Sequence, residues 1–341
     1  MRRSKDGYEL KKILTIVVPS YNVEKFLPNT LERLTSGDNK SKLEVLVVDD
    51  GSTDNTKMIA DRYQKKFSSV VRVISKENGG HGSTINVGIS NASGKYLKVV
   101  DGDDWLDTNQ LDIFLDRLED IDTDLIITPF WLYDNKKKKK MLQNSSVDTQ
   151  NGKAFLVDSG KLKAIPPMHE CTFKTEILKK NSITIDENAF YVDVEFVVYP
   201  IPYLKDFCFF NIPLYMYRIN VGTQSTNPES LIKNKNMHYF VIDQINSYIK
   251  GFKKSVSRVR YLLMKKRLSQ MIAAQFKIIV MSKIGFSTMK ELKSLKEKID
   301  TSLEFDLKYA NFPVRVLIKT NFIFYPALHY LALLKFKYTG E

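Results

Sequence analysis

With 341 residues, 43% of them hydrophobic, the chain suffices for one large or two modest domains with a real core. Its formal net charge of +13 is uneven: residues 231–341 hold 21 Lys and Arg against 7 Asp and Glu, a balance of +14, while the rest hold 31 against 32. The basic third therefore reads as a separate module for an acidic partner, anionic lipid or nucleic acid. Two cysteines, Cys171 and Cys208, exclude a disulfide framework and point to a reducing compartment. The charged start, MRRSKDGYELKK, lacks a secretory apolar core, and the first apolar run, ILTIVVPS, is too short to span a bilayer.

In chain order, apolar runs rich in β-branched residues lie at Ile13–Pro19, Leu43–Val48, Val70–Ile74, Tyr96–Val100 and Leu125–Thr128. Helix-like stretches separate them: VEKFLPNTLERLTS, then STDNTKMIADRYQKKF with Ser52 or Thr53 as its N-cap, then GSTINVGISNA ending near Ser93-Gly94. Runs apolar on both faces, alternating with helices, predict a mostly parallel sheet covered on both sides. Ligands bind such sheets beyond the C-terminal strand ends. The unusual residues stand there: Pro19-Ser20-Tyr21, Asp49-Asp50-Gly51-Ser52, Asn78-Gly79-Gly80-His81 and Asp101-Gly102-Asp103-Asp104.

Residues 131–230 are less regular. DNKKKKK, 134–140, reads as a solvated loop or hairpin tip, and PLYMYRINVGTQST as a strand entering a polar loop. From Leu231 onward the periodicity is helical, in LIKNKNMHYFVIDQINSYIKGF, VSRVRYLLMKKRLSQMIAAQFKIIVMSKIG and STMKELKSLKEKIDTSLEF. The apolar tail at 321–334 contains Pro326 and is short for a span, so an interfacial or core helix is expected.

Several site classes are disfavoured. There is no GxGxxG after the first run, GGHGST has no Lys before Ser83, and neither cysteine has a zinc-ligand spacing. The carboxylates are the positive signal. Asp49-Asp50 and Asp101-Gly102-Asp103-Asp104 follow strands of one sheet and converge on one edge. Converging acids are tolerable when a hard cation such as Mg²⁺ or Mn²⁺ neutralises them, usually together with substrate phosphates. Gly102 is expected to let the backbone turn so that Asp101 and Asp103 point the same way.

The segments TIVVPSYNVEKFLPNTLERL, LEVLVVDDGSTDNT and ENGGHGSTINVGISNASGKYLKVVDGDDWL, taken in order, resemble the family 2 glycosyltransferases of bacterial cell-surface polysaccharide type, which have the GT-A fold. The resemblance runs from about Leu14 to Phe114, continues more weakly through FYVDVEF and YMYRINVGTQS, and does not cover 231–341. It implies an α/β GT-A domain over residues 1–230, followed by a basic helical region over 231–341. It also implies an inverting transfer of a sugar from a nucleotide-diphosphate donor, usually a UDP-sugar, to a hydroxyl of a glycan or lipid-linked glycan.

The residue roles below are what the resemblance implies. Pro19, Ser20 and Tyr21 line the nucleotide pocket; Asp50 bonds the donor base, supported by Asp49; Asn78, Gly79 and Gly80 form the loop beside the nucleotide. Asp101 and Asp103 match the D-x-D motif around Gly102, Asp103 as the direct metal ligand and Asp101 nearer the ribose, while Asp104 orients the donor sugar. The cofactor is Mn²⁺ or Mg²⁺. Arg218, Gln224 and Ser225 reach the diphosphate. An acceptor hydroxyl needs a carboxylate base. Where the family usually reads Glu-Asp, this chain reads Val192-Asp193, so the base lies between Asp193, which is favoured, and Glu195. His81 sits at an expected helix N-terminus, placed for diphosphate or acceptor. His169 and Glu170 fall on the acceptor side, and Trp105 is the best candidate for stacking a sugar, near Trp131, Tyr133 and Tyr191.

The helical third suits homodimerisation, acceptor recognition, docking on an anionic membrane, or simply a solvated cap. No RNP-like strand or helix-turn-helix supports nucleic acid as its partner. The expected setting is cytoplasmic, at or near the inner membrane face. Two other functions stay open: a nucleotidyltransferase on a related scaffold, against which PSYNVEKF lacks a basic Gly-rich triphosphate loop, and a non-catalytic binding module.

Overall fold

The structure, a computed structural model, describes residues 12–143, 147, 149–221 and 227–339. Among these, the chain up to Leu162 with Pro166–Asn188 and Val192–Ile219 forms one compact unit. Lys163–Ile165, Ala189–Tyr191 and the residues from Asn220 onward form a second.

The first unit begins with strict alternation: β1 (Leu14–Ser20), α1 (Leu27–Thr35), β2 (Leu43–Asp49), α2 (Thr56–Lys66), β3 (Val71–Ser75), α3 (Gly80–Asn91) and β4 (Tyr96–Val99). A short β5 (Trp105–Leu106) and α4 (Thr108–Glu119) lead to β6 (Leu125–Ile127), the hairpin β7 (Phe130–Asp134) and β8 (Lys139–Gln143), and β9 (Ala154–Leu156). Then come β10 (Cys171–Lys174), α5 (Thr175–Lys180), α6 (Asp193–Val198), β11 (Asp206–Phe209) and β12 (Tyr215–Ile219). All five apolar runs become strands. The lysine run forms the tip of the β7–β8 hairpin and the head of β8, where its charges stay in water.

Every residue of β1 and β2 is buried, as parallel strands covered on both faces must be. In α1, Leu27, Leu31 and Leu34 recur at i, i+4 and i+7 and are almost wholly buried, and a proline opens its first turn. The N-cap of α2 is Asn55 rather than Ser52 or Thr53, and the Asp54 carboxylate receives the Thr56 N–H. The Thr53 amide is drawn instead to Asn22 Oδ1, which pins the loop against the end of β1.

The large sheet has the order β3-β2-β1-β4-β10-β6-β11-β9. Its first four strands are parallel, while β10 enters antiparallel between β4 and β6. The fifth predicted strand is thus not beside the fourth. The short CTFK strand, buried at Cys171, Thr172 and Phe173, takes that place from about seventy residues further along the chain, a pairing local pattern does not encode. A second sheet, β5-β12-β7-β8, stands next to the acid loop through β5.

The second unit contains α7 (Pro228–Lys233), α8 (Lys235–Phe252), α9 (Arg258–Met281), α10 (Phe286–Thr301), α11 (Phe312–Lys319) and α12 (Tyr325–Thr339). The predicted first helix is two, because α7 ends at Asn234, whose N–H turns back to Ser230 O. Helix α9 is the hub, touching each of the other five helices. Its buried positions, from Leu263 and Met264 to Met281, run almost all round the helix, as expected of a central element. No helix among the described residues is long and apolar enough to cross a membrane.

Candidate active site

Parallel β1, β2 and β4 deliver their C-terminal ends to one edge, where their backbones interlock. Asp50 N–H donates to Ser20 O (2.9 Å), Gly102 N–H to Pro19 O (3.1 Å) and Lys76 N–H to Asp49 O (3.0 Å). Gly102 serves this approach rather than a turn: its φ is not positive, but a Cβ there would lie 2.9 Å from Pro19 O and 3.0 Å from Val23 Cγ2. A larger residue would push the acid loop off the end of β1.

In the loop expected beside the nucleotide, Tyr21 is half exposed and the Asn78 side chain, on the surface, donates to Asp50 O (3.0 Å). Pro19 and Ser20 are buried in the strand. Asp50, expected to bond the donor base, has a carboxylate that is 2% exposed and engaged within the chain. It accepts from Gly79 N–H (2.9 Å), Gly80 N–H (2.8 Å) and Lys76 Nζ (2.8 Å). It thus caps the positive end of α3, where orphan N–H groups favour an anion. Gly80, at φ +81°, occupies the left-handed region this turn requires.

The three acids after β4 have different surroundings. Asp101, one quarter exposed, lies 2.8 Å from His81 Nε2. Burial works against its ionisation, but His81 and His169 outweigh it and hold the carboxyl below its ordinary range. For His81, burial opposes the charged form, yet Asp101, Asp193 and Asp103 together raise the imidazole. Asp103 is partly buried, and desolvation and the Asp101 charge push it up to about 6. Asp104 is fully buried, and burial with the Asp103 and Asp101 charges pushes it well above the carboxylate range. It accepts from Tyr215 Oη (2.7 Å) and Arg218 N–H (2.7 Å). Asp104, expected to orient a donor sugar, is thus held from inside the wall by Tyr215 and Arg218.

Arg218 lies across the same loop. Its Nε donates to Asp103 O (2.8 Å) and one terminal nitrogen to Asn135 Oδ1 (3.2 Å). Its guanidinium sits 4.5 Å from the Trp105 ring centroid and 5.0 Å from that of Phe26. Trp105, the candidate for stacking a sugar, is engaged by Arg218, with Tyr133 edge-on at 5.2 Å. Trp131 packs under Lys140, and Tyr191 belongs to the second unit, against His238.

His169 reaches the acids, whereas Glu170 is 2% exposed, too buried for an acceptor contact. The His169 ring packs 4.3 Å from Tyr217 and 5.3 Å from Phe130. One ligand atom each from Asp101, Asp104 and His169 lie within 4.8 Å of one another. Two carboxylates and an imidazole fit Mn²⁺ or Mg²⁺ less exclusively than an all-oxygen set, with the nitrogen favouring Mn²⁺. The expected pair was Asp101 with Asp103; the converging set keeps Asp101 and adds Asp104 and His169.

The two base candidates separate cleanly. Asp193 opens α6, partly exposed, and its charge acts on both His81 and Tyr217, which places it among the acids. Glu195 is fully buried and accepts the Asp186 N–H (2.9 Å). Desolvation pushes it up to about 8. It is a wall residue, not an open base. Gln224 and Ser225 lie outside the described residues.

Sequence reasoning missed four supporting residues. Tyr215 Oη meets both Asp104 Oδ2 and the Asp101 N–H (3.2 Å). Burial raises the Tyr217 phenol, and the charges of Asp104, Asp101, Asp103 and Asp193 add to the rise. Lys76 bridges Asp50 to Ser83 Oγ (2.9 Å). Lys98, fully buried and brought down to about 8 by desolvation, donates to His169 O (2.7 Å) and Cys171 O (3.2 Å). A lysine inside the apolar run KYLKVV was the one available signal, since a buried cation needs partners.

The sequence profile of glycosyl transferase family 2 matches residues 15–180. Glycosyltransferase GlyG of Streptococcus pneumoniae serotype 4 is 34% identical over 126 residues, 37% of this chain and 41% of that protein. The poly(ribitol-phosphate) beta-N-acetylglucosaminyltransferase TarS of Staphylococcus aureus is 37% identical over 98 residues, 28% of this chain and 17% of its own length. The teichoic acid poly(glycerol phosphate) polymerase of Staphylococcus epidermidis is 27% identical over 273 residues, 77% of this chain and 36% of its own. The chain thus spans less than half the length of each of these relatives. In the solved structure of TarS 1–349 with UDP-GlcNAc, the fold is shared at a TM-score of 0.64 and 16% identity, over 95% of this chain and 91% of that one. The strand order, the acid-bearing edge and the matched segment converge on one conclusion: through residues 15–180 the chain belongs to glycosyl transferase family 2, on a GT-A fold.

Proposed function

We propose that the chain is an inverting glycosyltransferase that moves a sugar from a nucleotide diphosphate to a hydroxyl of a glycan or lipid-linked glycan. The observation that carries this reading is the group formed by Asp101 and Asp103 after β4, His81 in the first turn of α3 and Asp193 at the start of α6, each partly open to solvent. A UDP-sugar is the proposed donor, the class with which the similarly folded TarS was crystallised. Tyr21, Asn78 and the backbone around Gly79 and Gly80 line the proposed nucleotide side. Arg218, anchored between Phe26 and Trp105, fixes the Asp103 backbone there.

In this reading Asp193 takes the proton of the acceptor hydroxyl as its oxygen attacks the anomeric carbon. The bond to the diphosphate breaks on the opposite face, and a nucleoside diphosphate leaves. Asp101 and His169 of the converging set, joined by the more open Asp103 of the D-x-D motif in place of the sealed Asp104, would hold a Mn²⁺ or Mg²⁺ that offsets charge on the departing diphosphate. His81 holds Asp101 in place from the end of α3. Two buried, unbridged cysteines agree with a cytoplasmic setting. We assign donor chemistry to residues 1–230 and acceptor or partner contacts to 231–341.

Thermal unfolding with UDP, UDP-sugars and Mn²⁺ tests the reading. A ligand at one hundred times its dissociation constant should add about 2.7 kcal/mol of apparent stability. The gain should require Mn²⁺ and vanish in Asp103→Asn. No shift with any nucleotide would overturn it, and pyrophosphate release from a nucleoside triphosphate would favour a nucleotidyltransferase instead.

A further inference from the structure

The outer face of α12 breaks the usual pattern of a surface helix. Phe322, Tyr325 and His329 turn inward and are at most 8% exposed, with His329 Nδ1 donating to Val280 O (2.7 Å). On the other side stand Ile323, Phe324, Pro326, Ala327, Tyr330 and Leu331, all exposed. Set at 100° per residue, the four that lie on the helix, Pro326, Ala327, Tyr330 and Leu331, cover an arc of about 140°, and Ile323 and Phe324 stand in the turn just before it. Over Tyr325–Ala332, whose side chains are described, no polar side chain other than the Tyr330 phenol interrupts it, where a surface helix ordinarily carries its charges. Ile323 is 75% exposed, Leu331 60% and Phe324 51%. Phe312, 71% exposed, opens the preceding α11, and the Arg315 and Lys319 side chains of that helix are exposed as well.

We propose that this face docks on an anionic lipid surface. Charge selects the occupant. Residues 231–341 carry a balance of +14, so a second copy on the same face would bring two strongly cationic regions together, while anionic headgroups attract them. Apolar and aromatic side chains flanked by Lys and Arg are the composition of a helix lying in the headgroup layer. With no described helix fit to cross the bilayer, the contact is peripheral. The inference goes beyond the donor chemistry and stands on different residues.

The test is co-sedimentation of the full chain with phosphatidylcholine vesicles, with and without about one third phosphatidylglycerol. Binding should be at least about 10-fold tighter to the anionic vesicles and should fall as ionic strength rises. The double substitution Phe324→Glu, Leu331→Glu should weaken it at least about 10-fold with the thermal melt unchanged, since both side chains face water. Should that variant misfold, Phe324→Ser, Leu331→Ser carries the same expectation. Arg315→Gln, Lys319→Gln should reduce the salt dependence. Equal binding to neutral vesicles, no binding, or binding indifferent to the apolar substitutions would overturn the proposal. So would light scattering that shows a dimer which Phe324→Glu, Leu331→Glu dissociates. The UDP-dependent melt needs no vesicles, so failure of docking and failure of the donor reading are read separately.

Discussion

At the scale of single residues, the same charge does different work according to its burial. Asp101 and Asp193 face the opening, while Asp50, Asp104 and Glu195 are buried and hold backbone amides. A buried carboxylate with donors around it is a fixed part of the wall, and its removal strands those donors. Asp193 and Glu195 are two positions apart in sequence, yet only the first shares an electrostatic neighbourhood with His81. Asp193→Asn should therefore lower kcat by at least about 100-fold, while Glu195→Gln, which preserves an acceptor for Asp186, should stay within about 10-fold of the parent. Steady-state transfer assays on both variants check this. Loss in Glu195→Gln with activity kept in Asp193→Asn would reverse the assignment.

At the scale of elements, the site depends on how closely α3 approaches its neighbours. A Cβ on Gly82 would stand 2.0 Å from Asp186 O, and one on Gly88 2.4 Å from Val17 Cγ1. The helix thus lies close against β1 on one side and the 184–188 segment on the other, fixing where its first turn presents His81. Gly82→Ala cannot be absorbed by a rotamer change, because the obstacle is backbone. It should cost about 1–3 kcal/mol in urea unfolding and weaken nucleotide binding by displacing the His81 turn. An unchanged midpoint would show that the helix has room to shift.

At the scale of the whole molecule, the buried acids predict an unusual pH profile. Asp103, pushed up to about 6, Glu195, up to about 8, and Asp104 bind protons more readily in the folded chain. Their stabilising contribution is complete below the unfolded carboxylate range near 4 and is lost as pH rises through the folded values. His81, raised above 6.5, adds to the same fall. Asp101, held low, loses its contribution only when pH drops below about 4. Lys98, lowered to about 8, costs stability below that pH, and the cost fades only towards 10.5. Urea unfolding without divalent ions should therefore show greatest stability near pH 4, with a loss of at least about 2 kcal/mol by pH 8. Glu195→Gln should flatten much of that fall. Stability flat or rising over this interval would contradict the burial of these groups.

The sequence by itself determined the alternation of strands and helices, the acid-bearing edge and the basic helical third, because hydrophobic period, Gly and Asp clusters and charge balance are local properties. It also brought Asp101, Asp103, His81 and Asp193 into view as chemistry-bearing residues. What only the tertiary structure decided was which acids face solvent and which are sealed. That depended on partners far along the chain: Tyr215 and Arg218 closing over Asp104, Lys76 and the Gly79 and Gly80 amides enclosing Asp50, and Asp186 meeting Glu195. The entry of β10 between β4 and β6 is of the same kind. Desolvation is set by everything packed around a group, and a linear pattern holds only its neighbours in sequence.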